Sequence, residues 1–180
     1  MAPIKTCVLG VGLAGSTFHI PFLLALPNLF TLYAVLEPHP QFQGDGLKQR
    51  FGVETIIYRR IEQVVGDNDI ELVIVATPND THYALAKAAL EAGKHGTYYI
   101  SSYLFPKKSP DAVTVLVDKP VTETVAQAKA LEAIAISKGL VLYGHQNKRW
   151  DSDHIALKQL LALPPSSPQY LGNLLEFESQ

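Results

Sequence analysis

The stretch that most restricts this chain lies near its start. An apolar run, Ile4-Lys5-Thr6-Cys7-Val8-Leu9, passes directly into Gly10-Val11-Gly12-Leu13-Ala14-Gly15. This reads as a β-strand feeding a glycine turn that opens a helix. Such a unit gathers free backbone N–H groups and the positive end of a helix dipole at one point, where a pyrophosphate can sit. Gly10 allows the tight turn, Gly12 lets the backbone approach the phosphates, and Gly15 lets the helix lie close to the strand. The whole turn, with Leu13 and Ala14, is the expected dinucleotide-binding element.

A second apolar run, Leu32-Tyr33-Ala34-Val35-Leu36, ends at Glu37, 22 residues beyond Gly15. At that place in a βαβ unit a carboxylate accepts hydrogen bonds from the adenosine ribose hydroxyls. It would repel a 2′-phosphate. Pro38, His39 and Pro40 follow, with no fixed cation among them, so NAD is favoured over NADP as the cofactor.

The remaining composition narrows the class. A chain of 180 residues holds one domain and part of another. A net charge of −2 offers no basic field for nucleic acid or an anionic membrane. Cys7 is the single cysteine, which excludes a disulfide framework and cysteine-based zinc sites; no metal site is expected. No apolar run reaches the ~20 residues of a membrane span, and the first residues lack a signal-peptide layout. The expectation is a soluble, cytoplasmic protein.

Strand-like and helix-like stretches alternate, which predicts an α/β fold with a parallel sheet covered by helices. The first helix is predicted from about Ala14 to Leu26, with Phe18, Phe22 and Leu26 on one face and Pro21 shortening or bending it. His19 falls on this helix near the turn, facing a ligand or serving as a hydrogen-bonded structural histidine. Further strands are predicted at Glu54 to Tyr58, Glu71 to Ala76, Val115 to Val117 and Leu140 to Tyr143. The Glu71–Ala76 run is apolar on both faces, as a central parallel strand should be. It ends at Thr77-Pro78-Asn79-Asp80-Thr81-His82, a candidate wall of the nicotinamide site, where Asn79 or Asp80 can cap a helix that stops at Gly93. Thr124 and Gln127 form a capping-box pattern for a helix that stops at Gly139. Asp151 can cap a further helix, and Leu174 to Ser179 reads as a last strand.

Four stations now line up: the Gly10–Gly15 turn, Thr77-Pro78-Asn79 with His82, Asp118-Lys119-Pro120, and His145 through Trp150. Together with Ala92-Gly93-Lys94-His95 they resemble the Gfo/Idh/MocA family of NAD(P)-dependent oxidoreductases, in the branch that includes scyllo-inositol dehydrogenases. The resemblance implies a Rossmann-like, doubly wound parallel sheet over residues 1–147, with residues 148–180 as the start of a second α+β domain. It implies hydride transfer between NAD or NADP and a sugar or polyol carbon. Asp118 stands where the family usually has glutamate. Lys119 takes the family's catalytic role, a cation beside a hydroxyl that loses proton and hydride. Pro120 is expected to follow a cis peptide. Thr77, Pro78, Asn79, His82, Asp118, Lys119, Pro120 and Asn147 join the glycine turn and Glu37 as cofactor-binding residues.

The chain departs from the family pattern twice. Residues 148–180 answer to only the start of the second domain, which supplies much of the substrate pocket and the homo-oligomer interface of full-length relatives. For a chain that ends at Gln180, cofactor binding is expected to be weakened and turnover negligible. Residues 96–114 are also extra, nineteen residues that include Tyr98, Tyr99, Tyr103 and Phe105. One reading is a translated, unspliced intron, because removing GT through AG within the codons of Gly96 to Val115 would rejoin His95 to a valine and Leu116. The other is a genuine lid or docking loop. Two alternatives to an enzyme stand beside these: a dinucleotide-sensing, co-repressor-like protein, and an inactive truncated product.

Overall fold

The computed structural model describes residues 2–39, 45–93, 114–146, 148 and 151–172. The chain divides into two compact units, Met1–His145 and Gln146–Gln180. The first unit is built on six strands: β1 (Ile4–Leu9), β2 (Phe30–Leu36), β3 (Ile56–Tyr58), β4 (Leu72–Val75), β5 (Thr114–Asp118) and β6 (Val141–His145). All pairings are parallel and the spatial order is β3-β2-β1-β4-β5-β6. This is the doubly wound order in which the chain reverses direction between β1 and β4, and ligands sit outside the carboxyl ends of the strands at that point.

Side-chain alternation along the strands builds two cores. On one face Cys7, Leu9, Val73, Val75, Val115 and Val117 pack with α3 (Ile61–Gly66), α4 (Asn79–Glu91) and α5 (Val125–Lys138) through Val64, Ala86, Leu90 and Leu131. On the other Val8, Leu32, Val35, Leu72 and Ile74 pack with α1 (Ile20–Ala25) and α2 (Asp45–Phe51) through Ile20, Leu23 and Leu47. Burial on both faces is why β4 reads as a continuous apolar run. The Thr124–Gln127 capping box forms, with Gln127 N donating to Thr124 Oγ1 at 3.2 Å, and Gly139 ends α5 at φ 66°.

The first helix departs from the sequence reading. It starts as a π-helical turn, Gly15–His19, and only then becomes α1, with Pro21 in its first turn. Proline has no N–H to give to a preceding carbonyl, and the wider winding accommodates that at the junction. The face rotates in consequence. Ser16, His19, Ile20 and Leu23 are buried, whereas Phe18, Phe22 and Leu26 are 49%, 64% and 46% exposed. At α4 the position before the helix is Pro78, so neither Asn79 nor Asp80 caps it. The short helices α2 and α3 have no counterpart in the sequence reading.

Residues 96–113 lie outside the described residues, as does the Leu174–Ser179 run. On either side of the former, α4 docks on the sheet and β5 pairs in register with β4 (Leu72 opposite Thr114) and with β6 (Asp118 opposite His145). The second unit holds α6 (Ser152–Leu161), preceded by Asp151, whose side chain makes no capping bond. Among the described residues no helix is long and apolar enough to cross a membrane.

Candidate active site at the strand carboxyl ends

The glycine turn is as tight as its sequence requires. Gly10 has φ 93°, and a Cβ there would lie 2.9 Å from Ala76 O and 3.0 Å from Thr77 Cγ2. At Gly15 a Cβ would lie 2.0 Å from Gly10 O, far inside contact distance. Gly12 differs: a Cβ there would meet nothing within 4 Å. Two of the glycines are therefore demanded by the fold, and the third leaves backbone open for something outside it to approach. That is the cradle a dinucleotide's pyrophosphate needs.

The turn is tied to its neighbours. Gly10 N donates to Leu36 O at 3.0 Å, next to Glu37, and Ala76 N donates to Leu9 O at 2.9 Å. Ser16 Oγ donates to Gly12 O at 2.8 Å and accepts from Arg50 Nη1 at 2.9 Å. An open cavity of about 230 Å³ beside it is lined by Val11, Ser16, Leu47, Arg50 and Phe51. Leu13 projects from the turn, 79% exposed.

Glu37 is half-buried at the end of β2, its N–H bonded to Tyr58 O at 2.9 Å. Arg59 Nη1 donates to Glu37 O at 2.7 Å. The sequence reading found no fixed cation after Glu37 along the chain; the parallel β2–β3 pairing brings one in from β3. The case for NAD from a missing cation therefore falls, and what remains of it is the carboxylate itself.

The loops after β4 and β5 are braced on one another. His82, 1% exposed, lies with Nε2 2.8 Å from Thr77 O and Nδ1 2.7 Å from Pro120 O. Thr81 Oγ1 lies 2.6 Å from both Thr77 Oγ1 and Pro78 O. The Lys119–Pro120 peptide is cis, and Lys119 and Pro120 are exposed, as is Asn79. Asn147 lies outside the described residues.

Asp118 is buried at the end of β5 between two imidazoles. Asp118 Oδ2 is 3.5 Å from His19 Nε2, and Oδ1 is 3.5 Å from His145 Nδ1. The His19 and His145 rings meet edge-on with centroids 5.2 Å apart. Lys119 N donates to Asp118 Oδ1 at 2.8 Å. Burial pushes the Asp118 carboxyl up, but the Lys119 N–H and the facing imidazoles outweigh it and hold the group below the usual carboxylate range. Burial is the main influence on His19 and lowers its pKa, against the pull of Asp118.

Residues 4–96 match the Gfo/Idh/MocA oxidoreductase family, described by its NAD-binding Rossmann fold. The chain belongs to this family. It is 36% identical over 179 residues to an uncharacterized oxidoreductase of Schizosaccharomyces pombe, covering 99% of this chain and 42% of that one. It is 31% identical to a scyllo-inositol 2-dehydrogenase (NADP(+)) of Bacillus subtilis, covering 88% and 37% of the two chains. The crystal structure of an oxidoreductase from Bacteroides fragilis superposes with a TM-score of 0.66 at 35% identity, covering 90% of this chain and 44% of that one. GenD2 from gentamicin A biosynthesis, solved in complex with NAD, superposes with a TM-score of 0.70 at 25% identity, covering 90% and 40%. This Gfo/Idh/MocA chain thus spans less than half the length of the relatives it matches.

His19 and His145 stand out singly in the sequence of this family member, but their meeting at Asp118 does not, and neither does Arg59. His145 is the last residue of its strand and pairs with Asp118, so strand ends aligned across β5 and β6 could have found it. His19 needed the π-helical turn, and Arg59 needed the β2–β3 pairing.

Proposed function

We propose that this chain is the dinucleotide-binding part of an oxidoreductase that moves hydride between NAD(P) and a sugar or polyol hydroxyl carbon. The observation that carries this reading is the placement of Lys119. It stands exposed at the carboxyl end of β5, on the loop that His82 braces to Thr77, whose Cγ2 borders Gly10. One cation is thus tied through a single histidine to the glycine turn.

A bound nicotinamide supplies or accepts the hydride. The backbone of Gly10 to Gly15 receives the pyrophosphate, helped by the open face of Gly12. Glu37 accepts from the adenosine ribose hydroxyls, which favours NAD over NADP. Thr77, Pro78 and Asn79 wall the nicotinamide side, and His82 holds that wall in place. Lys119 faces the substrate hydroxyl and stabilises the negative charge that develops on its oxygen as the proton leaves. Support for a polyol substrate comes from the named activity of the Bacillus subtilis relative.

The test is hydride transfer followed by nicotinamide absorbance over a panel of sugars and inositols, run on a full-length version with and without residues 96–114. Turnover is expected, and Lys119→Ala should lower kcat by about 10²–10⁴ while the dissociation constant for NADH stays within about twofold. Tight dinucleotide binding with no turnover on any polyol would instead identify a dinucleotide sensor.

A further inference from the structure

Where β5 and β6 end side by side, His19, Asp118 and His145 each offer one ligand atom, and the three atoms lie within 4.8 Å of one another. We propose that these three side chains form a divalent-metal site, with Zn²⁺ the best-fitting ion. Among the described residues, His19 Nε2 and His145 Nδ1 are the buried side-chain nitrogens without a hydrogen-bond partner. Each faces a different oxygen of the same carboxylate at 3.5 Å. That separation exceeds the ~2.7–2.9 Å of a charge-assisted hydrogen bond. The three ligand atoms lie within 4.8 Å of one another, and zinc–ligand bonds of ~2.0–2.1 Å would bring them to about 3.4 Å apart.

The donor set fits the ion. Two imidazoles and a carboxylate are the ligands of open zinc sites, where three protein groups leave a fourth position for water or substrate. The three come from separate elements with fixed backbones. His19 ends the π-helical turn, and Asp118 and His145 are register partners at the ends of two central-to-edge strands. The Lys119 N–H donates to Asp118 Oδ1, the oxygen that also faces His145, and holds the carboxylate as an outer-shell donor does. The two nitrogens must draw in to reach one ion. His145, whose side chain is 30% exposed, has the freedom to do so and opens the site to solvent.

The untagged chain, stripped with chelator, is titrated with Zn²⁺ by calorimetry and with Co²⁺ by visible absorption. One saturable equivalent of Zn²⁺ per chain is expected, with the d–d bands of a tetrahedral Co²⁺ site. His145→Gln and His19→Asn should each weaken Zn²⁺ at least tenfold and abolish those bands. The far-UV circular dichroism of each variant separates lost ligation from lost folding. If His19→Asn does not fold, the partly exposed His145→Gln decides. No Zn²⁺ uptake, or uptake unchanged in His145→Gln, overturns the site and leaves a carboxylate that only orients two rings. Zn²⁺ uptake without NADH binding would uphold the site and reject the proposed function; NADH binding without Zn²⁺ uptake would do the reverse.

Discussion

Gly15→Ala is expected to destabilise the first unit by about 3 kcal/mol and to weaken dinucleotide binding on the order of 100-fold. The added methyl would sit 2.0 Å from Gly10 O. The Cβ is fixed by its own backbone and faces a backbone oxygen, so no side chain can swing away, and the π-helical turn must move off β1. Overpacking of this kind costs about 1–3 kcal/mol where flexible groups can yield; here none can. The same movement displaces the N–H groups that meet the pyrophosphate. Losing one or two charge-assisted hydrogen bonds, each about 1.5–3 kcal/mol, gives the loss in affinity. Gly12→Ala is the informative companion. Nothing lies within 4 Å of its added methyl, so urea unfolding should shift by less than about 1 kcal/mol while dinucleotide binding is lost. Equal destabilisation by the two substitutions would contradict the roles given to these glycines.

His82→Leu should destabilise the chain by about 3 kcal/mol and weaken dinucleotide binding by about tenfold. Leucine keeps much of the volume but offers no donor. The carbonyls of Thr77 and Pro120, now 2.8 and 2.7 Å from ring nitrogens, lose their buried neighbour, and the one that accepts the ring N–H is left without a donor at about 1–3 kcal/mol. They belong to the loops after β4 and β5, so the cofactor wall and the Lys119 loop come apart together. His82→Asn, with one amide donor, should restore part of the stability. Urea unfolding and NADH titration of the two variants check this; a stability of His82→Leu equal to that of the unsubstituted chain would show that the histidine braces nothing.

These particulars show which parts of the molecule its sequence made legible. The β1 boundaries, Ile4 to Leu9, coincide with the reading because an apolar run meeting a glycine has one place to stop. β4 was legible because both of its faces are buried. The helix after the glycine turn was misread because Phe18, Phe22 and Leu26 repeat at an α-helical spacing that the π-helical winding breaks. Helices α2 and α3 span seven and six residues, too few to show a period. In the site, Gly10, Gly12, Gly15 and Glu37 announced themselves through local chemistry, and Lys119 only through the family resemblance of Asp118-Lys119-Pro120. The His19–Asp118–His145 cluster did not, because its members meet only through β5–β6 pairing and a π-helical turn. Arg59 beside Glu37 was hidden in the same way: its neighbour is across the sheet and not along the chain.

The central claim is that the glycine turn and its surroundings bind a nicotinamide dinucleotide. Calorimetric titration of the purified chain with NADH and with NADPH tests it most directly. Saturable binding of one equivalent of NADH, tighter than NADPH and lost in Gly12→Ala, is the expected result. Binding of neither dinucleotide by the folded chain would contradict it.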